Sequence, residues 1–264
     1  MSIRIVQSKQ NSRVKELRSA LLRPSRQPDT AVAIEGSNLL GEAIRSGLRL
    51  ETVFVAQGYE ALLRDLDVDD SVEVLALPED VLASAVSTES PQPIAALVTP
   101  RSWSWADLAS EAALLVILAG IQDPGNLGTI LRSAEAFGAT GAICLPGTVS
   151  QWNSKAVRAS AGSVFRLPVL SVSVQDCFAQ LKKAGVKTLA AMAHEAKPLG
   201  ELGLTGSTAF LIGSEGSGLP ADLAALADAR ITIRCPGPVE SLNAAVAASV
   251  LLYEAAQQRH LRDV

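Results

Sequence analysis

The stretch LLVILAGIQDPGNLGTILRSAEAFGATGAICL, residues 114–145, sets an apolar run, a glycine-rich turn, a segment of helical spacing and a second apolar run in succession. Leu114–Ala119 and Gly141–Leu145 are nearly continuous apolar runs, as strands are when helices cover both faces of their sheet. Leu127–Phe137 between them has helical spacing. The alternation continues downstream. Strands are expected at Thr188–Met192, Ala209–Gly213 and Arg230–Ile233, and helices at Ser154–Ala161, Val174–Ala184, Pro220–Ala227 and Leu242–Arg259. Strand and helix in turn predict a parallel α/β sheet.

Upstream, Arg4–Thr99 reads as a smaller α/β unit. Helices are expected at Ser12–Leu22, Ser37–Gly47, Glu60–Asp67 and Pro78–Val86, and strands at Ala31–Glu35, Thr52–Ala56, Val72–Leu77 and Ile94–Val98. Residues 100–110, rich in Pro, Ser and polar residues, read as a linker between a domain of residues 1–99 and one of 111–264.

The chain has 264 residues, 48% apolar and 19% charged, enough for two domains with separate cores. No apolar run approaches the ~18–20 residues of a membrane span. The start, MSIRIVQSKQNSRVK, lacks the apolar core of a secretory signal. Cys144, Cys177 and Cys235 are odd in number and scattered, which suggests neither a disulfide framework nor a zinc site and fits a reducing cytoplasmic setting. With two histidines, His194 and His260, a His-rich metal cluster is not expected.

The net charge is −4, yet residues 1–30 carry seven basic residues against Glu16 and Asp29. From Phe137 to Gln175 three basic residues (Lys155, Arg158, Arg166) stand without an acidic one. A phosphate-binding face needs local positive charge rather than a basic total. The basic amino-terminal segment reads equally as a solvated helix.

In open parallel sheets ligands bind beyond the carboxyl ends of the strands, and three strand-to-helix junctions carry unusual residues. In GIQDPGNLGTILRSAEAFGA (120–139), Gly120, Gly125 and Gly128 let the backbone come close to a ligand; Asn126 stands at the helix entrance and Arg132 beyond it. Asn126 could serve only as an N-cap. The string does not supply the G-x-G-x-x-G of a dinucleotide site. In FLIGSEGSGLP (210–220), a buried strand runs into Gly213, Gly216 and Gly218, with Ser214 and Glu215 between; Pro220 would stand at N1 of the next helix. In ITIRCPGPVESLNAAVAASVLLYEAAQQRHL (231–261), the stiff Cys235–Val239 loop leads to Ser241 and Asn243 before a long, alanine-rich helix. Ser241 could be a plain cap. Ser241 and Asn243 also place a hydroxyl and an amide at a helix N-terminus, where a ligand carboxylate is favoured.

Taken in order, NLGTILRSAEAFGA, FLIGSEGSGL and VESLNAAVAASVLLYE resemble the three motifs of the SpoU (TrmH-like) RNA ribose methyltransferases. IVQSKQNSRVKELRSALL and AIEGSNLLGEAIRSG resemble the substrate-binding domain that many members carry. The resemblance implies a SPOUT-like parallel sheet with a deep trefoil knot, although knotted chains are rare, and a smaller ribosomal-protein-like α/β domain. It implies methyl transfer from S-adenosylmethionine to a ribose 2′-hydroxyl of structured RNA, with ribosomal RNA preferred. A transfer-RNA enzyme and a non-catalytic RNA-binding or assembly protein on the same scaffold are the alternatives. Also implied is a cytoplasmic homodimer with the long last helix in its interface.

By the same resemblance, Leu211, Gly213, Ile233, Cys235 and Leu242 would hold the cofactor largely through backbone groups. Asn126, Arg132, Glu215, Ser241 and Asn243 match the polar catalytic positions. Arg132 matches the residue proposed to act on the 2′-hydroxyl; free arginine is a poor base, with a pKa above ~12, so holding a phosphate and orienting the hydroxyl is an equal reading. Lys9, Arg13, Lys15, Lys155 and Arg158 are the candidates for RNA phosphates. No metal is implied. Where the family's third motif often begins Ile-Pro-Met, this chain has Ile233, Arg234 and Cys235.

Overall fold

The computed structural model describes residues 2–24, 30–86, 88, 90–216, 218–239 and 241–260. Ser217 and Glu240 of the quoted loops, and Arg26 and Asp29 of the basic segment, lie outside them. The chain forms two compact units, residues 1–102 together with 150–166, and residues 103–149 together with 167–264.

The first unit opens with β1 (Ile3–Ile5) and α1 (Ser12–Leu22). Asn11 caps α1 by accepting from the Arg13 amide at 2.9 Å, and the helix buries Val14, Leu17 and Leu21, one stripe at helical spacing. Next come β2 (Val32–Glu35), α2 (Ser37–Arg45), β3 (Arg49–Ala56), α3 (Ala61–Asp65), β4 (Glu73–Leu77), α4 (Glu79–Ala83) and β5 (Ile94–Thr99). They form a mixed sheet in the order β1-β4-β3-β5-β2, with β5 antiparallel to both its neighbours. The stripe of α1 packs over Phe54, Leu75, Leu77 and Leu97 of that sheet. Gly47, at φ +69°, turns the chain from α2 into β3.

The second unit contributes α5 (Trp105–Leu108), β6 (Leu114–Leu118), α6 (Pro124–Ala136) and β7 (Gly141–Cys144). α7 (Ser154–Ser160) belongs to the first unit, where it packs on β2. The second unit resumes with β8 (Val169–Ser171), α8 (Val174–Lys183), β9 (Lys187–Ala191), β10 (Lys197–Pro198), β11 (Thr208–Ile212), α9 (Ala221–Ala224), β12 (Ala229–Thr232) and α10 (Ala244–His260). Its sheet has the order β10-β12-β9-β11-β6-β7-β8, and every pairing is parallel. That arrangement matches the expected parallel sheet and puts the carboxyl ends of β6, β11 and β12 on one edge.

α10 lies against α6 and β11. Its Ala244, Ala245, Ala248, Leu251, Leu252 and Ala255 are buried, while Ser249 shares a 2.7 Å hydrogen bond with Ser133 and Tyr253 meets Phe137 edge-on at 5.7 Å. The alanine-rich face is therefore spent inside the unit. The end of α10 is tied down by Arg259, whose guanidinium donates to the carbonyls of Leu204 (3.0 Å), Gly206 (2.8 Å) and Ala113 (3.2 Å). Burial holds its pKa below the usual arginine value.

Some boundaries differ from expectation for local reasons. Pro78 and Pro220 stand at N-cap rather than inside their helices, which are single short turns of five and four residues. β1, β8 and β10 were not foreseen; at three, three and two residues they are too short to show a period.

Candidate active site

Each of the three junctions leaves one carboxyl edge of the sheet, and the side chains they carry meet there. After β6, Asp123 is the N-cap of α6, accepting from the Asn126 amide at 2.9 Å, with Pro124 at N1. Asn126 is thus not the cap, and its side chain is released for other work. After β11 the chain makes a tight hairpin in which the Gly218 amide donates to the Ser214 carbonyl at 2.9 Å. Gly218 has φ +63°, and a Cβ on Gly213 would run into the Gly218 carbonyl. The hairpin itself therefore demands glycine at 213. After β12, Asn243 rather than Ser241 caps the last helix, its Oδ1 accepting from the amides of Ala245 (2.9 Å) and Val246 (3.2 Å).

The three loops are joined by one carboxylate. Glu215 Oε1 accepts from Nδ2 of Asn126 and from Nδ2 of Asn243. Asn243 Nδ2 also lies 3.3 Å from Asn126 Oδ1. A carboxylate only accepts, so both amides must turn their nitrogens toward it, which fixes their orientation.

Beside this network is a cleft of about 760 Å³. Met192, Ile212, Ile231, Ile233, Leu242 and Leu251 supply apolar lining, and Gly213, Gly216 and Gly218 open it to backbone groups. Glu215, Ser241, Cys235, His194 and Arg234 are also at its wall. Of the cofactor candidates, Gly213, Ile233, Cys235 and Leu242 line the cleft. Leu211 does not: it is fully buried in the sheet core, and Ile212 takes the lining position. Sequence reasoning missed Met192–Glu195, the turn after β9. It carries no glycine, and only its strand's place beside β11 points to it.

Arg132 lies on the exposed face of α6, outside the Asn126–Glu215–Asn243 network and away from the cleft lining. No hydrogen bond or ion pair ties it to another described residue. Arg234 pairs with Glu201 at 3.3 Å, both largely exposed.

The proposed phosphate contacts all fall in the first unit. Lys9 pairs with Asp80 at 3.1 Å, and Arg13 with Glu16 at 2.8 Å and Glu73 at 3.2 Å. The Glu16 hydrogen bond raises Arg13 above the usual arginine pKa. Lys15 is exposed with no partner among the described residues, and Lys155 and Arg158 are exposed on α7. Among the described residues no His, Cys, Asp and Glu cluster could hold a metal ion, and no helix is long and apolar enough to cross a membrane.

Comparisons with known proteins bear on the family and the fold. Residues 113–253 match the model of the SpoU rRNA Methylase family, and residues 11–96 match the MRM3-like substrate binding domain. The chain is 30% identical over 248 residues to the 23S rRNA (guanosine(2553)-2′-O)-methyltransferase RlmP of Bacillus subtilis, spanning 94% of this chain and 97% of that protein. The crystal structure of the SpoU methyltransferase AviRb from Streptomyces viridochromogenes in complex with AdoMet has a TM-score of 0.85 at 28% identity, covering 95% of this chain and 99% of that one. The AdoMet-bound rRNA methyltransferase from Sinorhizobium meliloti has a TM-score of 0.83 at 30% identity, covering 98% of each chain. With its motif-bearing junctions gathered on one sheet edge and the family's model matched over more than half its length, this chain belongs to the SpoU rRNA methylase family.

Proposed function

We propose that this chain is an RNA 2′-O-methyltransferase that uses S-adenosylmethionine and acts on ribosomal RNA in the cytoplasm, through a carboxyl-terminal methyltransferase domain and an amino-terminal substrate-binding domain. The observation that carries the reading is the Asn126–Glu215–Asn243 network beside a cleft of about 760 Å³. The cleft fits the cofactor chemically: apolar side chains suit an adenine ring and a thioether chain, and the glycine-opened backbone suits its polar edges. Gly213, Ile233, Cys235 and Leu242 would hold it. S-adenosylmethionine, when bound, supplies a methyl group already activated as a sulfonium, so positioning the acceptor carries much of the catalysis.

The side chains divide that task. Glu215 fixes Asn126 and Asn243 at the ends of two helices, giving the ribose a rigid polar wall. Ser241 adds a hydroxyl at the cleft. Arg132 holds the phosphate of the target nucleotide and orients its 2′-hydroxyl.

Two further features belong to this reading. The chain works as a homodimer through Val246, Val250 and Tyr253 on α10, exposed by 49%, 36% and 50% and spaced along one helical stripe. The carboxyl-terminal chain is knotted, a reading supported by the seating of β11 between the earlier strands β6 and β9.

The test is methyl transfer from labelled S-adenosylmethionine to ribosomal RNA from cells lacking the gene, with the product mapped by resistance of the methylated linkage to alkali. One ribose should be protected. Absence of incorporation into any ribosomal RNA fragment would overturn the proposal.

A further inference from the structure

Of the basic candidates at the amino terminus, Lys9 before α1 and Arg13 within it are engaged by carboxylates at hydrogen-bond distance, and Lys15 has no partner among the described residues. Exposed pairs of that kind are weak, yet a phosphate would have to displace them. Elsewhere in the same unit one arginine is held more loosely. A cleft of about 420 Å³ is lined by Gly47, Leu48 and Arg49 from the α2–β3 turn and by Thr99, Pro100 and Arg101 after β5. Arg49 and Thr99 are register partners on adjacent antiparallel strands, so the two segments are held side by side.

Their guanidiniums differ in how they are held. Arg101 donates to the Ser46 carbonyl, which anchors it at the end of α2. Arg166 approaches the same turn, donating to the Ser46 hydroxyl at 3.2 Å and to Glu42 at 2.7 Å. Arg49 has 78% of its side chain exposed, and Glu51, the carboxylate that it approaches, is 3.8 Å away. The Thr99 hydroxyl already occupies that carboxylate at 2.7 Å. Four guanidiniums, those of Arg45, Arg49, Arg101 and Arg166, thus gather around one turn with the carboxylates Glu42 and Glu51, and the ion pair of Arg49, at 3.8 Å, is looser than those of Arg45 at 2.6 Å and Arg166 at 2.7 Å.

We infer that the cleft between the α2–β3 turn and the end of β5 is a phosphodiester-binding site of the substrate domain, with Arg49 as its principal contact and Arg101 as its fixed wall. A planar guanidinium fork matches two phosphate oxygens, which is why arginine suits this task better than lysine. The inference rests on the RNA-modifying reading above and locates where the strand is gripped away from the reacting ribose.

The experiment compares the full chain with R49A, R49E and R49K. RNA binding is measured by filter retention across 50–300 mM salt, beside S-adenosylmethionine binding by calorimetry and steady-state methyl transfer. R49A should bind RNA roughly three- to tenfold more weakly, with the slope of log K against log salt shallower by about 0.7–0.9. R49E should be weaker still and R49K intermediate. The loss should appear in KM for RNA and leave kcat and cofactor affinity unchanged, which a general folding defect would not do. Inorganic phosphate and a mononucleotide at millimolar concentration should not compete; Arg49-dependent competition would make the cleft a small-anion site and overturn the inference. Unchanged RNA affinity and salt slope in all three variants would also overturn it, with the methyltransferase reading intact. A wild-type chain that bound neither RNA nor cofactor would remove both.

Discussion

Asn243 donates its side-chain amide to Glu215 while the carbonyl oxygen of the same side chain caps the last helix. One residue thereby couples the stability of α10 to the geometry of the polar network. The two duties separate by substitution. Asn243→Ala should cost about 1 kcal/mol of stability by loss of the cap and should also abolish most methyl transfer. Asn243→Ser should restore stability to near the parent value, because serine caps as well as asparagine, and leave transfer impaired. Urea unfolding and single-turnover rates check the pair; equal recovery of both by serine would show that the amide contact to Glu215 is dispensable.

Glycine is demanded unequally in the second junction. A Cβ at 213 would collide with Gly218 backbone, whereas a Cβ at 216 meets nothing within 4 Å. Gly213→Ala should open the hairpin and weaken cofactor binding by about tenfold or more, and Gly216→Ala should leave it within about twofold. Calorimetric titration with S-adenosylmethionine reads both.

Arg132 sits outside the network, so its removal should not disturb the cleft. Arg132→Ala is expected to lower kcat on the order of 10²-fold with cofactor affinity unchanged. Arg132→Lys should recover part of the rate if the charge positions a phosphate. A steep rise in the lysine variant's rate near the lysine pKa would instead reveal a base at this position.

The cysteines report occupancy of the cleft. Cys235 lies at its wall, whereas Cys144 and Cys177 are buried, and burial pushes the Cys177 thiol up to about 12. The reactive thiolate of Cys177 is thus withheld throughout the ordinary pH range and appears only as pH nears that value. Iodoacetamide at pH 8 should label Cys235 first, and S-adenosylmethionine should protect it. Labelling of Cys235 that ignores saturating cofactor would place the ligand elsewhere.

The outward stripe of α10 predicts self-association. Val246→Asp with Val250→Asp should convert a dimer to a monomer in sedimentation velocity while the unit stays folded, because both side chains are exposed and outside its core. A parent chain that sediments as a monomer at micromolar concentration would rule the dimer out.

What the amino-acid order disclosed follows the range of the forces involved. The βαβ pattern of 114–145 and the helix Ser12–Leu22 depend on local periodicity; the latter is where the residues put it, and the helix expected at Leu127–Phe137 starts three residues earlier, at Pro124, because Asp123 caps it. The grouping of Asn126, Glu215 and Asn243 was foreshadowed by the order of the motifs, but not who holds whom. Ser241 and Asn243 are equally good caps, and the choice falls to Asn243 because the helix begins at Ala244. Leu211 and Ile212 alternate across a strand, so a one-residue difference in phase decides which meets the cleft. The pairing of Arg13 with Glu73 and of Lys9 with Asp80 joins residues sixty or more positions apart, beyond the reach of any local pattern. Those partners tie up Lys9 and Arg13, which local sequence presents as free cations.

The separation of 117 positions between Asn126 and Asn243 has a bearing on biosynthesis. The amino-terminal strands and β6–α6 emerge from the ribosome long before Asn243 and Arg259, the residues that complete the network and fasten the final helix. A chain interrupted before residue 243 would lack one wall of the cleft and the third member of the network. The polar network is thus complete only once translation reaches the last helix.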